Sequence, residues 1–295
     1  MSNQLTYPQT IASMLASSAY RVVRTDFVHQ ANPQDPVKCR LYFTPNPPPI
    51  QRNPMAQSYN PAYLQHNQRW PAQGPFHPSW SPSAMGADIP PTSLIFTHGA
   101  VSDFNDAELD GFALGFARHH TVLVFEANSA NHNHRAALFP FLLDHFTASA
   151  LGGRDIGGQA AVRGSVHTPI KTLILLNFSL NNNPDARSEL LALDAETEVL
   201  FIAFDSITLC PEEQLNDIRK EMKAKTWFVN VLEGDYQFMF PGDLTTRVPD
   251  ICGQIAGLWL SERDAGKTEL TVQVEDDLVS WSEWVAPAPT PASEE

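Results

Sequence analysis

The chain has 295 residues, 43% of them hydrophobic and 10% aromatic, enough apolar material for a packed interior. Its 19 basic and 33 acidic residues give a formal charge of −14, which repels phosphate backbones and anionic lipid and argues against nucleic-acid or membrane partners. Three widely spaced cysteines (Cys39, Cys210, Cys252) suggest neither a disulfide framework nor a zinc site, and the N-terminus lacks a basic, apolar leader. A cytosolic or nuclear protein without cofactors is expected.

Two β-rich runs, Tyr20 to His29 and Val37 to Thr44, flank the turn-like ANPQDP and predict an opening antiparallel hairpin. From Pro45 to Pro91 proline recurs with asparagine, glutamine and scattered aromatics (Tyr59, Tyr63, Trp70, Phe76, Trp80), which predicts a long irregular insertion. Polyproline stretches with interspersed rings also suit partner grooves, so the insertion is a candidate docking segment. Beyond it, strand and helix patterns alternate. Strands are expected at Ser93–Thr97, Thr121–Glu126, Ser149–Leu151, Thr172–Phe178, Glu198–Phe204 and Thr226–Leu232. Helices are expected near Asp106–Arg118, Asn133–Phe146, Gly158–Ser165, Glu212–Met222 and Val248–Arg263. Continuously apolar strands between helices mean an α/β fold, a mostly parallel sheet covered on both faces. One more strand at Glu269–Val274, a Trp281/Trp284 pair and a Pro/Ala/Glu tail complete the chain. The divisions expected are 1–44 (N-terminal helix and hairpin), 45–92 (insertion), 93–265 (core) and 266–295 (C-terminal segment).

The chemistry-bearing segment is Gly152-Gly153-Arg154-Asp155-Ile156-Gly157-Gly158, after a short strand and opening a helix. In α/β-hydrolases that turn carries G-x-S-x-G, whose glycines permit a strained elbow presenting the nucleophile. Here Asp155 stands in the serine's place. A carboxylate is tolerated at a helix N-terminus, where the dipole favours negative charge. A second landmark, Thr97-His98-Gly99-Ala100, follows the strand before the first long helix. In this fold its backbone N–H and that of Ile156 would face an oxyanion, giving an oxyanion region of His98, Gly99, Ala100 and Ile156.

These motifs resemble the α/β-hydrolase-like domain of the third subunit of the animal non-specific-lethal histone acetyltransferase complex and its small testis-expressed relative, a dienelactone-hydrolase-like branch. LIFTHGAVSDFN (Leu94–Asn105) is similar to that branch's THGASGDMN, His134-Arg135 to its VHR, LGGRDIGGQAA (Leu151–Ala161) to GGRSMGSRAA, and LEGDYQFM (Leu232–Met239) to EKANHSM; the likeness also takes in VLFIAFDSITLC with the following PEEQLNDIRKEMKA. Carried across, the branch's serine falls on Asp155, its acid near Ile207, with Asp205 two residues upstream, and its histidine on Gln237. No histidine follows His167, although this fold supplies its base late in the chain.

These substitutions point to a chain that is not an enzyme, a pseudo-hydrolase acting as a scaffold or subunit for protein partners, as a homo- or hetero-oligomer. A residual pocket would be lined by Asp155, Asp205, Tyr236 and Gln237, with Glu233 and Asp235 at an acidic rim. The alternatives are an unusual hydrolase with Asp155 as nucleophile or base, or a small-molecule sensor. Asn131-His132-Asn133-His134 has no carboxylate or cysteine partners nearby and reads as cap and surface residues, so no metal is expected. Cys210 reads as a buried free thiol.

Overall fold

The computed structural model describes residues 23–29, 37–44, 91–100, 106–127, 131–181, 183–205, 211–232, 242–275 and 278–287. The expected N-terminal helix, the proline-rich insertion up to residue 90, Ile207, Cys210, Glu233, Asp235, Tyr236 and Gln237 lie outside them, and Thr92, counted with the insertion from sequence, opens the strand Thr92–Thr97.

Ten described strands form one sheet in the order β1-β2-β4-β3-β5-β6-β7-β8-β9-β10. Strands β1 (Val23–His29) and β2 (Val37–Phe43) make the expected antiparallel hairpin, and β2 lies antiparallel to β4. From β4 (Thr121–Phe125) through β3 (Thr92–Thr97), β5 (Ala150–Arg154), β6 (Thr172–Leu176), β7 (Glu198–Phe204), β8 (Lys225–Leu232) and β9 (Glu269–Glu275) all neighbours are parallel. Strand β10 (Leu278–Trp281) returns antiparallel along β9. This is an α/β-hydrolase-like fold: the mostly parallel sheet is what the alternation of elements predicts, and its hydrolase-like form is what the elbow and Thr97–Ala100 motifs imply.

The inner strands β4, β6 and β7 are almost wholly apolar because side chains on both faces of the sheet meet a helix layer. Along β7, Leu200, Ile202 and Phe204 enter one core, while Val199, Phe201 and Ala203 enter the other. Helices α1 (Ala107–Phe116) and α6 (Leu244–Glu262) cover the first face with Phe112, Phe116, Ile251 and Trp259. Helices α2 (His132–Leu143), α3 (Ile156–Ser165), α4 (Ala186–Ala192) and α5 (Glu212–Glu221) cover the second.

Three elements depart from expectation. Strand β5 runs on to Arg154, since the glycines at 152 and 153 continue its ladder against Ile174 and Leu175. Helix α4 has too few residues to show a helical period, and its stability comes from burying Ala186 and Leu190. Strand β10 is short, and only Val279 is deeply buried. Among the described residues no helix is long and apolar enough to cross a membrane.

If the double-faced sheet is the main source of stability, Ile202→Ala should lower the unfolding free energy by about 2–5 kcal/mol. Val166→Ala, at a position 73% exposed, should change it by less than ~0.5 kcal/mol. Urea denaturation of the two variants checks this; equal effects would contradict it.

Candidate active site at the elbow

The elbow forms where β5 ends and α3 begins, and two glycines make it sterically feasible. A Cβ at Gly153 would lie 2.2 Å from the carbonyl carbon of Gly157, and one at Gly157 would lie 2.6 Å from the His98 carbonyl oxygen. Only glycine permits such approaches. The residue between them, Asp155, has φ 53° and ψ −121°, a left-handed backbone that a side-chain-bearing residue adopts at a cost of about 1–3 kcal/mol. Its N–H donates to the Leu176 carbonyl at 2.9 Å, so the β5–β6 ladder holds the strained residue in place.

The carboxylate does not cap its own helix. It crosses instead to the loop after β3, where Oδ2 accepts from the Ala100 N–H at 3.2 Å. The helix-terminus reason for tolerating Asp155 is therefore replaced by a contact to a residue 55 positions earlier. Among the described residues Oδ1 has no hydrogen-bond partner, and it is buried on a residue only 7% exposed. One oxygen is thus anchored, and the other is desolvated and unengaged.

The Ala100 N–H is itself held by its peptide plane. The carbonyl on the same peptide, that of Gly99, lies 2.8 Å from His98 Nδ1. Arg135, buried on α2, donates from Nη1 to the His98 carbonyl at 2.7 Å and lies 3.5 Å from that of Gly99. Donors on the carbonyl oxygen orient the plane and polarise its N–H toward Asp155. His98 Nε2 accepts from the Ala127 N–H at 3.1 Å, so the ring is neutral with its proton on Nδ1. Burial, and then the charge of Arg135, lower the His98 pKa in keeping with that state. Ile156, the next residue, begins α3 and is buried.

A second charged group braces the elbow from the other side. Arg154 Nη1 donates to Asp106 Oδ2 at 2.8 Å, and its Nη2 lies 2.8 Å from Glu108 Oε2. The other Asp106 oxygen caps α1 through the N–H groups of Glu108 and Leu109. The arginine thereby ties the end of β5 to the start of α1. Burial pushes the Glu108 pKa up to about 7 against the opposing charge of Arg154, and the neighbouring Asp106 charge adds to the rise.

Of the other residues read from sequence, Asp205 ends β7, two strands from the elbow, and is exposed. The Asn131 side chain caps α2 by accepting from the N–H groups of Asn133 and His134. Cys39 and Cys252 are buried free thiols whose pKa burial raises. Among the described residues no group of three or more His, Cys, Asp or Glu is placed to hold a metal ion. Sequence reasoning missed the roles of Arg135 and Arg154. Both belong to quoted motifs, yet nothing local marks their partners.

No protein-family model and no curated protein sequence matches the chain. Solved structures do resemble it. A dienelactone hydrolase from Anabaena variabilis superposes with TM-score 0.51 at 13% identity, over 82% of this chain and 98% of that one. A protein of unknown function from Agrobacterium tumefaciens gives 0.50 at 12% identity, over 80% and 97%. The esterase domain of a Rhodothermus marinus protein gives 0.49 at 12%, over 81% and 97%. The likeness establishes the α/β-hydrolase fold. Because a dienelactone hydrolase shares that fold, the expectation that this chain is not an enzyme, which the changed residues alone had prompted, is corrected: the fold is that of a hydrolase.

The raised Glu108 pKa has a defined consequence. A carboxyl that is more basic folded (about 7) than unfolded (about 4.5) favours the native state at low pH. That contribution is lost as pH rises through about 7. Glu108→Gln removes the titration and leaves Arg154 paired with Asp106. The melting temperature of the native protein should therefore fall relative to the variant between pH 5 and 8. A native protein that gains on the variant over that range would contradict the assignment.

Proposed function

We propose that the chain is a hydrolase of unusual type in which Asp155 is the nucleophile. The observation that carries this reading is the unequal treatment of its two carboxylate oxygens. Oδ2 rests on the Ala100 N–H, while Oδ1 is buried without a partner on a strained turn. A carboxylate used as a nucleophile needs one oxygen desolvated for attack. It needs the other on a hydrogen-bond donor that stabilises the charge formed when water later attacks the ester.

The chemistry follows from the group. A carboxylate is a competent nucleophile toward an electrophilic saturated carbon, as in a haloalkane or an epoxide. Oδ1 forms the new C–O bond and the leaving group departs with the bonding electrons. Water then adds to the Asp155 carbonyl carbon, and the negative charge develops on Oδ2 against the Ala100 N–H. Collapse releases an alcohol carrying the former Oδ1 and restores the carboxylate with an oxygen from water. A kinship with the branch named for Leu94–Met239 remains part of this proposal and rests on those motifs alone.

Incubation with a panel of haloalkanes and epoxides, followed by intact-mass measurement and peptide mapping, tests the reading. It expects a covalent adduct on Asp155, or turnover to the alcohol, and loss of both in Asp155→Asn. No adduct and no turnover across the panel, or labelling that survives Asp155→Asn, would contradict it.

A further inference from the structure

An ester on Asp155 needs a base to activate water, and the late-chain histidine that serves this fold is missing from the sequence. The structure offers a different one. His132 is the first residue of α2, three residues before Arg135, so the two lie on one helix face. Arg135 on that face reaches the carbonyls of His98 and Gly99, next to the Ala100 N–H that holds Asp155. His132 Nδ1 is buried and has no hydrogen-bond partner among the described residues, the same condition as Asp155 Oδ1.

The surroundings of the ring match the task. The charges of Asp155 and of Glu189, on α4, both act on His132 and favour its protonated form. Burial first, then Arg163 and Arg135, act more strongly in the other direction and lower its pKa, so the ring is neutral and able to accept a proton at neutral pH. Glu189 accepts from Arg163 Nε through Oε1, and its Oε2 is also buried and without a partner. Arg163 also donates to Asn133 Oδ1 at 3.0 Å and so bridges Glu189 to the residue after His132, which brings that carboxylate to the start of α2. Glu189 can hold the tautomer and balance the charge formed on the ring.

Resting on the Asp155 nucleophile reading, we infer that His132 is the general base of the second half-reaction, with Glu189 as its positioning residue. His132 takes one proton from the water that attacks the Asp155 carbonyl carbon. The tetrahedral species then expels the alcohol oxygen, which receives that proton from His132. The water's second proton leaves to solvent from the regenerated carboxyl. This deviates from the usual chain order, because the base precedes the nucleophile.

The test uses the full chain with 1-bromohexane and styrene oxide as probes. His132→Ala should form the Asp155 adduct but release it at least about tenfold more slowly than the native protein, so that the adduct accumulates in intact-mass spectra. Added imidazole should restore release in His132→Ala and leave the native rate unchanged, a response that a folding defect would not give. Glu189→Gln should slow release less than His132→Ala does. An adduct that turns over equally fast with and without His132, or a slowed variant that imidazole does not rescue, would overturn the role of His132 while leaving the nucleophile in place. Absence of both adduct and turnover in every variant would instead overturn the Asp155 reading and this inference with it.

Discussion

The contact between the Asp155 carboxylate and the Ala100 N–H is the interaction around which the site is organised. It joins the loop after β3 to the turn after β5, adjacent parallel strands whose ends the register brings together at Thr97 and Gly153. Each neighbouring feature serves that contact. The glycines let the turn approach the loop, and the positive φ aims the carboxylate outward from the sheet. His98 and Arg135 fix the donor's peptide, while Arg154 ties the turn to α1. Asp155 Oδ2 therefore rests on a backbone N–H whose peptide plane is fixed by His98 and Arg135.

That arrangement bears on why the strain at Asp155 persists. A left-handed aspartate and a buried, unpartnered oxygen both cost free energy, of order 1–3 kcal/mol each. Turning the carboxylate onto the N-terminus of α3 would satisfy the unpartnered oxygen. The side chain does not cap that helix. The surrounding framework, with two buried cores and a ladder bond from Asp155 to Leu176, is rigid enough to hold the costly geometry.

The sheet was largely legible in the sequence because its signals are local. Apolar runs such as Thr172–Leu176 and Glu198–Phe204 can satisfy both faces only between helix layers, and the glycine spacing around Asp155 is itself the steric requirement of the elbow. Helix α4 and strand β10 escaped because each is short and depends on tertiary burial. The electrostatics of the site escaped for a different reason. Ala100 and Asp155, Arg135 and His98, and Arg154 and Asp106 are separated by dozens of residues, and only the β4-β3-β5 order brings them together. Counting late histidines led toward loss of function, since that rule assumes the usual chain order. A base drawn from α2 is invisible to it.

The claim that Asp155 attacks, rather than merely activating water, is tested most directly by a single turnover in water labelled with heavy oxygen. Attack by Oδ1 sends that oxygen into the product, so the first-turnover alcohol should be unlabelled and the peptide containing Asp155 should carry the label. A labelled alcohol with an unlabelled Asp155 would contradict the account, because the carboxylate would then have acted only as a base.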